Sequence, residues 1–265
     1  MTLTTDLPRP EYPRPQFARP DWLCLNGEWQ FEIDAGDSGL ERGLLGRELA
    51  ARITVPFCPE SALSGVHNTD FLNAVWYRRQ VTIPAAWAGR RVLLHFQAVD
   101  YDATVWDNGR EVGRHRGGFT PFTCDLHGFA APGETITIVL RARDFHLMPK
   151  PSGKQSAVYH NQVVHYTRTT GIWQTVWLEP VPRTHLLRPR LTPDVANGLI
   201  RLEQRLTGPR NGLRLRATLR DGTSEVCSAE CGAAVDFSPR LDLAIPAGQR
   251  RLWSPRDPYL YDLDI

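Results

Sequence analysis

The sequence predicts an all-β chain folded as two successive β-sandwiches. Three observations carry that expectation. Apolar residues recur at period two in many short runs, the runs are separated by Asn-Gly, Asp-Gly and proline turns, and almost no stretch has helical periodicity. A length of 265 residues suits two all-β domains or one large one.

Taken in order, residues 1–20 carry Pro8, Pro10, Pro13, Pro15 and Pro20, which forbid a helix and favour an extended arm. Such an arm is either a disordered leader or a strap across a domain. LNGEWQFEI opens the folded part, with a turn signal at Asn26-Gly27 and Trp29, Phe31 and Ile33 on one face. Leu40 to Arg52 is the best helical candidate, weakened by Gly43 and Gly46, and otherwise a long surface loop. VWYRRQVTIP is a strand stopped by Pro84. In the next run Val92, Leu94, Phe96 and Ala98 alternate with Leu93, His95 and Gln97. Asn108-Gly109 predicts a hairpin between Val105-Trp106 and Glu111-Val112. Ile136, Ile138, Leu140 and Ala142 share a face, and YTRTTGIWQTVWLE, from Tyr166 to Glu179, enters a strand rich in β-branched and aromatic residues. Trp173 and Trp177 are expected on one side of it, in the core.

Prolines at Pro180 and Pro182 place a boundary there, giving a first domain over 21–181 and a second over 182–265. In the second, Ile200, Leu202, Gln204 and Leu206 form one alternating run. Leu213, Leu215, Ala217 and Leu219 form another, with Arg214, Arg216 and Arg220 outward, and Asp221-Gly222 turns the chain. This texture is that of an immunoglobulin-like sandwich. About six strand candidates follow Leu186 where about seven are usual, and the sequence stops inside YLYDLDI, so a truncated, incomplete sandwich is expected.

Composition excludes several classes. A net charge of +2 with scattered arginines offers no stripe for nucleic acid. Arginine supplies nearly all the positive charge, Lys150 and Lys154 being the only lysines. No run approaches the roughly 20 apolar residues of a membrane span, and the proline-rich start does not read as a signal peptide, so a cytoplasmic location is expected. Five scattered cysteines without Cys-x-x-Cys read as thiols in a reducing compartment. Cys227 and Cys231 could face each other or bind a metal, but no His stands at ligand spacing, so neither a metal nor a cofactor is expected.

LNGEWQF, VPFCPES, VWYRRQVTIP, FQAVDYDATVWDNGREVGRHRGGFTPFTCDL, TGIWQTVWLE and LWSPRDPYLYDL, in this order, resemble the N-terminal half of a glycoside hydrolase family 2 enzyme. The family includes β-galactosidases, β-glucuronidases and β-mannosidases, and the resemblance covers nearly everything after residue 20. It implies that the first domain is a jelly-roll, galactose-binding-like sandwich and the second immunoglobulin-like. It also implies a carbohydrate substrate, and as partner a (β/α)8 barrel carrying both catalytic glutamates of a retaining mechanism. A barrel needs roughly 250 residues of its own, and the family's Asn-Glu pair does not occur here, so no catalytic residue is assigned. Family members are often oligomers, so a homo-oligomer is a further expectation.

Two loops match those that reach over the barrel mouth in the family. One holds His67, Asn68, Asp70 and Asn73, side chains suited to sugar hydroxyls. The other runs from Tyr159 to Arg168, with His165 near the place where β-galactosidases put a sugar-binding Asp, so galactose specificity does not carry over. Arg168 either braces its turn or touches substrate. Asp100 and Asp102 look like paired carboxylates, but the family does its chemistry elsewhere. His115 and Arg116 before Gly117-Gly118 read as a mobile loop. A free-standing carbohydrate-binding module and a purely structural interaction domain are the competing readings.

Overall fold

The computed structural model describes residues 7–265; the first six residues of the predicted arm lie outside it. The chain divides between Val181 and Pro182 into two compact units. Both are built from antiparallel strands, and among the described residues the only helical elements are three one-turn 3-10 segments.

The first unit contains β1 (Leu23–Cys24), β2 (Gly27–Ile33), β3 (Ala51–Val55), β4 (Ala74–Thr82), β5 (Arg91–Phe96) and β6 (Val99–Asp100). It continues with β7 (Asp102–Asp107), β8 (Arg110–Arg116), β9 (Phe122–Asp125), β10 (Thr135–Arg143), β11 (Gly171–Ile172) and β12 (Val176–Val181). A six-stranded sheet, β3-β2-β4-β10-β7-β8, faces a four-stranded one, β1-β12-β5-β9, and β6 with β11 forms a short bridge. The alternation read from sequence points Trp29, Phe31, Ile138 and Leu140 from one sheet at Val92, Leu94, Phe96 and Leu178 from the other. The hairpin at Asn108-Gly109 forms as expected. Both residues have positive φ (46° and 79°) and Asp107 pairs with Arg110, the geometry of a type I′ turn.

The helix expected over Leu40–Arg52 does not form. Gly43 takes φ 72°, which ends each helical turn, and the segment becomes a turn-rich cap followed by β3. Its apolar residues are used all the same: Leu44 and Leu49 cover Trp76, Trp106 and Val139 on the back of the six-stranded sheet. Asp34 anchors the cap by accepting from Ser38 N, Gly39 N and Trp76 Nε1. A Cβ on Gly39 would stand 2.6 Å from Asp34 Oδ2, so only glycine fits there.

The described part of the arm is a strap. Asn26, fully buried, donates through Nδ2 to Pro8 O and Arg9 O and accepts from Val176 N, pinning the arm to β12. Farther along, Tyr12, Arg14, Phe17 and Arg19 lie over the outer face of the four-stranded sheet. There Trp177 packs edge-on against Tyr12 and Trp22 and stacks on His95 at 4.0 Å. Trp177 therefore lies outside the main core, and Trp173 lies elsewhere, donating to Gly118 O beside Phe119. The expected placement of both tryptophans on one side of a strand fails because Trp173 precedes β12 and the chain bends between them.

Beneath the strap, Glu179 is 0% exposed. Arg14 Nη2 donates to its two oxygens at 3.0 and 3.2 Å, Arg19 Nη1 stands 2.9 Å away, and His95 Nε2 donates at 3.1 Å. Burial lowers the His95 pKa, which keeps the ring neutral; its Nδ1 then accepts from the Thr123 hydroxyl. Burial alone would raise the Glu179 carboxyl, but the His95 hydrogen bond and the charges of Arg14 and Arg19 outweigh it and bring it down to about 2.

The second unit contains β13 (His185–Leu186), β14 (Arg190–Asp194), β15 (Leu199–Glu203), β16 (Leu206–Thr207), β17 (Arg214–Asp221), β18 (Ser224–Gly232), β19 (Arg240–Ala244) and β20 (Asp262–Asp264). Two three-stranded sheets, β14-β15-β19 and β18-β17-β20, enclose Leu202, Leu215, Ala217, Leu241 and Leu243. The single run expected from Ile200 to Leu206 is broken at Gln204. That side chain is fully buried and donates to Leu187 O and Arg205 O, and Leu206 moves off to pair with Leu186. An apolar cleft of about 450 Å³, lined in part by Leu191, Ile200, Leu219, Trp253 and Leu263, runs along this unit. All five cysteines are free thiols; Cys227 pairs with Leu219 and Cys231 with Leu215 across the β17–β18 ladder.

Glu179→Gln leaves two arginines without their anion. It is expected to lower unfolding stability at pH 7 by about 3 kcal/mol. Because the folded pKa lies below the ordinary carboxylate value, this stabilisation is complete above about pH 4.5 and fades as the pH falls towards 2. Urea titrations followed by tryptophan fluorescence should show the gap between the two proteins closing over that range. An unchanged midpoint at pH 7 would mean that apolar contacts alone hold the strap.

Candidate functional site

Two loops leave the same edge of the first sandwich because of strand register. Ala74, which opens β4, pairs with Arg143, which closes β10. The loop ending at Asn73 and the loop beginning at Asp144 therefore start side by side, and Asp144 N donates to Asn73 O at 2.8 Å. These are the two loops singled out in the sequence.

Arg168 joins them. It is 6% exposed; Nη1 donates to Val158 O at 2.6 Å and Ser156 O at 3.3 Å within its own loop, while Nη2 donates to Thr69 O in the other. Its guanidinium lies 4.1 Å from the centre of the Phe71 ring, and Tyr159 meets Phe71 edge-on at 5.0 Å. A planar fork with five donors satisfies carbonyls on two segments at once, which no other side chain does from one position. Of the two roles open to Arg168, the geometry is that of the brace.

The other candidate residues divide by exposure. Tyr159 is 69% exposed, and His165 is exposed with Nδ1 against Gln162 O. His67 and Asp70 are also exposed, His67 at φ 50°. Asn68 is half-buried and uses Oδ1 to accept from Asp70 N, which shapes its own loop. Asn73 is drawn away from the others: its Nδ2 donates to Ala35 O and holds the β2 end. Tyr159, Phe71 and Arg168 thus come together, His67 and Asp70 present exposed side chains with no hydrogen bond among the described residues, His165 is exposed with one ring nitrogen engaged, and Asn68 and Asn73 serve the loop backbone.

Below the clamp lies a polar layer that sequence reasoning missed. Lys150 forms an ion pair with Asp144, whose other oxygen accepts from the Thr170 hydroxyl at 3.3 Å. Glu60, buried, accepts from Thr170 N, and burial pushes its carboxyl upward. Gln155 donates to Asp100 and accepts from Thr169 N. The small cleft above this layer holds about 60 Å³ between Phe71, His146, Lys150, Gln155 and Arg168. That is room for a few water molecules, far short of the several hundred Å³ that enclose a small ligand. The two loops therefore enclose no ligand-sized pocket between them. A signal for Lys150 was present in the sequence, since both lysines of an arginine-rich chain fall in this one loop. Among the described residues no group of three His, Cys, Asp or Glu side chains is placed to hold a metal, and no helix is long and apolar enough to cross a membrane.

The family model described as "Glycosyl hydrolases family 2, sugar binding domain" matches residues 23–182. The chain belongs to glycosyl hydrolase family 2. Its matched segment contains both loops, the clamp and the whole strand framework of the first unit. Among curated relatives, a β-glucuronidase of Paenibacillus borealis is 26% identical over 91% of this chain and 41% of its own length. A β-galactosidase of Thermoanaerobacter pseudethanolicus is 27% identical over 74% of the chain and 26% of its own length. In fold the family 2 chain is similar to a solved β-glucuronidase of Ruminococcus gnavus in complex with a C6-substituted uronic isofagomine. The TM-score is 0.72 at 20% identity, over 96% of this chain and 43% of that one. The chain spans about two-fifths of the length of the β-glucuronidases it matches.

Arg168→Ala removes three carbonyl partners and the support under Phe71, and is expected to cost about 3 kcal/mol in stability. Arg168→Lys should recover less than half of this, since an ammonium cannot span both loops. Thermal unfolding compares the three proteins, and equal stability of the lysine variant and wild type would remove the clamp.

Proposed function

We propose that the chain is the non-catalytic N-terminal part of a family 2 β-glycosidase: a jelly-roll sugar-binding domain followed by an immunoglobulin-like domain, both docking on a (β/α)8 barrel. The observation that carries this is the Arg168 clamp, which makes two polar loops into one wall inside the segment that matches the family's sugar-binding domain. In this reading the barrel supplies the two carboxylates of a retaining double displacement. Tyr159, His165, His67 and Asp70 line one side of the sugar, and contacts to parts of the substrate that do not react select it and position it.

The chemistry of this chain fits a binding role. A glycosidase needs two carboxyl groups facing one open site. Here Asp144 is engaged by Lys150 and Thr170, while Glu60 and Asp100 are closed off from solvent. The relatives' names, β-glucuronidase and β-galactosidase, differ in the sugar, so the substrate is proposed as a class, the β-glycosides. A cytoplasmic, homo-oligomeric enzyme completes the proposal.

The chain alone is expected to release no nitrophenol from nitrophenyl β-glucuronide, β-galactoside or β-mannoside. In the same chain joined to a family 2 barrel, Tyr159→Ala and His165→Ala should each lower kcat/KM at least tenfold. Turnover by the chain alone would place the chemistry within it. Tight glycan binding by the chain alone, seen by calorimetry, would favour a free-standing carbohydrate-binding module.

A further inference from the structure

We propose that Asp100 is a proton-dependent seat for the 144–170 loop, which is held down while the Asp100 carboxyl carries a proton and loosens once the proton leaves. The inference concerns the loop's own equilibrium and does not depend on which sugar, if any, the loop meets.

The geometry is that of an acid sealed by the loop. Asp100 is 1% exposed at the end of β6. Its Oδ2 accepts from Gln155 Nε2 at 2.7 Å, and Gln155 Oε1 in turn accepts from Thr169 N at 3.0 Å. One neutral side chain therefore ties the loop to the sheet on one side and to the entrance of β11 on the other. Asp100 Oδ1 is buried with no hydrogen-bond partner among the described residues. Gly118 closes over it so tightly that a Cβ there would stand 2.6 Å from that oxygen. A carboxylic acid tolerates an unpartnered buried oxygen far better than a carboxylate does.

The charged groups facing Asp100 come from three directions. Asp144 at the end of β10 and Glu60 from the loop before β4 repel an anion at Asp100; Lys150 attracts one, but it is already in an ion pair with Asp144. The paired strand Gly171–Ile172 and the Gly117-Gly118 turn bring no charge. Burial first, and the neighbouring Asp144 second, push the Asp100 carboxyl from an ordinary 3.8 up to about 7. A folded pKa above the unfolded one means that the seated loop binds the proton more tightly than the open one. Seating is therefore strongest at low pH, weakens as the pH rises from about 4 to 7, and levels off above 7. The loop is the element that opens, because lifting it hydrates Asp100 and withdraws Gln155 and Lys150 together.

Amide hydrogen exchange, corrected for the intrinsic rate at each pH, tests this at Ser156, Tyr166 and Thr169, whose N–H groups are bonded to Tyr166 O, Lys154 O and Gln155 Oε1. Protection in the wild-type chain is expected to fall about a hundredfold between pH 5 and pH 8. In Asp100→Asn, which imitates the protonated acid, it should stay at the pH 5 level throughout; in Gln155→Ala it should be low at every pH. The carboxyl carbon resonance of Asp100 in the wild-type chain gives an independent reading, with a midpoint expected near neutrality. The same pH dependence in wild type and Asp100→Asn would overturn the proposal, and so would an Asp100 midpoint below pH 5.

Discussion

A guanidinium keeps its charge at every accessible pH, so burying one obliges the surrounding backbone to offer carbonyls in the right directions. At Arg168 that obligation shapes the loop-bearing edge of the first unit. The side chain faces Ser156 O and Val158 O on one loop and Thr69 O on the other, and Phe71 covers it from one side. Neither loop contains regular strand or a core of its own. The two are tied to each other by a cation that both must satisfy, and the exposed groups on them, Tyr159, His165, His67 and Asp70, are held in one neighbourhood by it.

The same device appears with the opposite sign on the outer face of the four-stranded sheet. Glu179 is a buried anion, and the strap answers it with Arg14 and Arg19 while His95 supplies a neutral donor. Both sites lie outside the apolar cluster between the sheets, at whose edge Arg79 stands over Trp29 and donates to Leu25 O and Asn26 O. The core sets the strand framework; the two buried ions decide how irregular segments lie against it. Asp100 belongs to this pattern as the member without a full complement of partners, which is why its protonation state and not its pairing sets its cost.

What could be read in the sequence follows the range of the interactions. The period-two runs in β2, β5 and β10 and the Asn108-Gly109 turn depend on neighbours along the chain, and they fold as read. The helix expected over Leu40–Arg52 fails at Gly43, which takes positive φ, and the glycine is itself a local signal legible in the sequence. Trp177 is expected in the core on the same side as Trp173, yet period two sends Val176 and Leu178 inward and Trp177 outward, under a strap whose Arg14 lies 165 residues away from Glu179. Arg168 reaches Thr69 across 99 residues. Nothing in a single sequence marks such pairings. The residue types of the candidate site were legible, while the clamp, the Lys150–Asp144 pair and the closed environment of Asp100 belong to tertiary structure.

The central claim is that the two clamped loops face one sugar together. A crystal structure of this chain joined to a family 2 barrel, with a glycosidase inhibitor bound, tests it most directly. Side chains from both 67–70 and 159–165 within hydrogen-bonding or stacking distance of the sugar are the result the account predicts. A sugar enclosed by barrel residues alone, with either loop turned away, would contradict it.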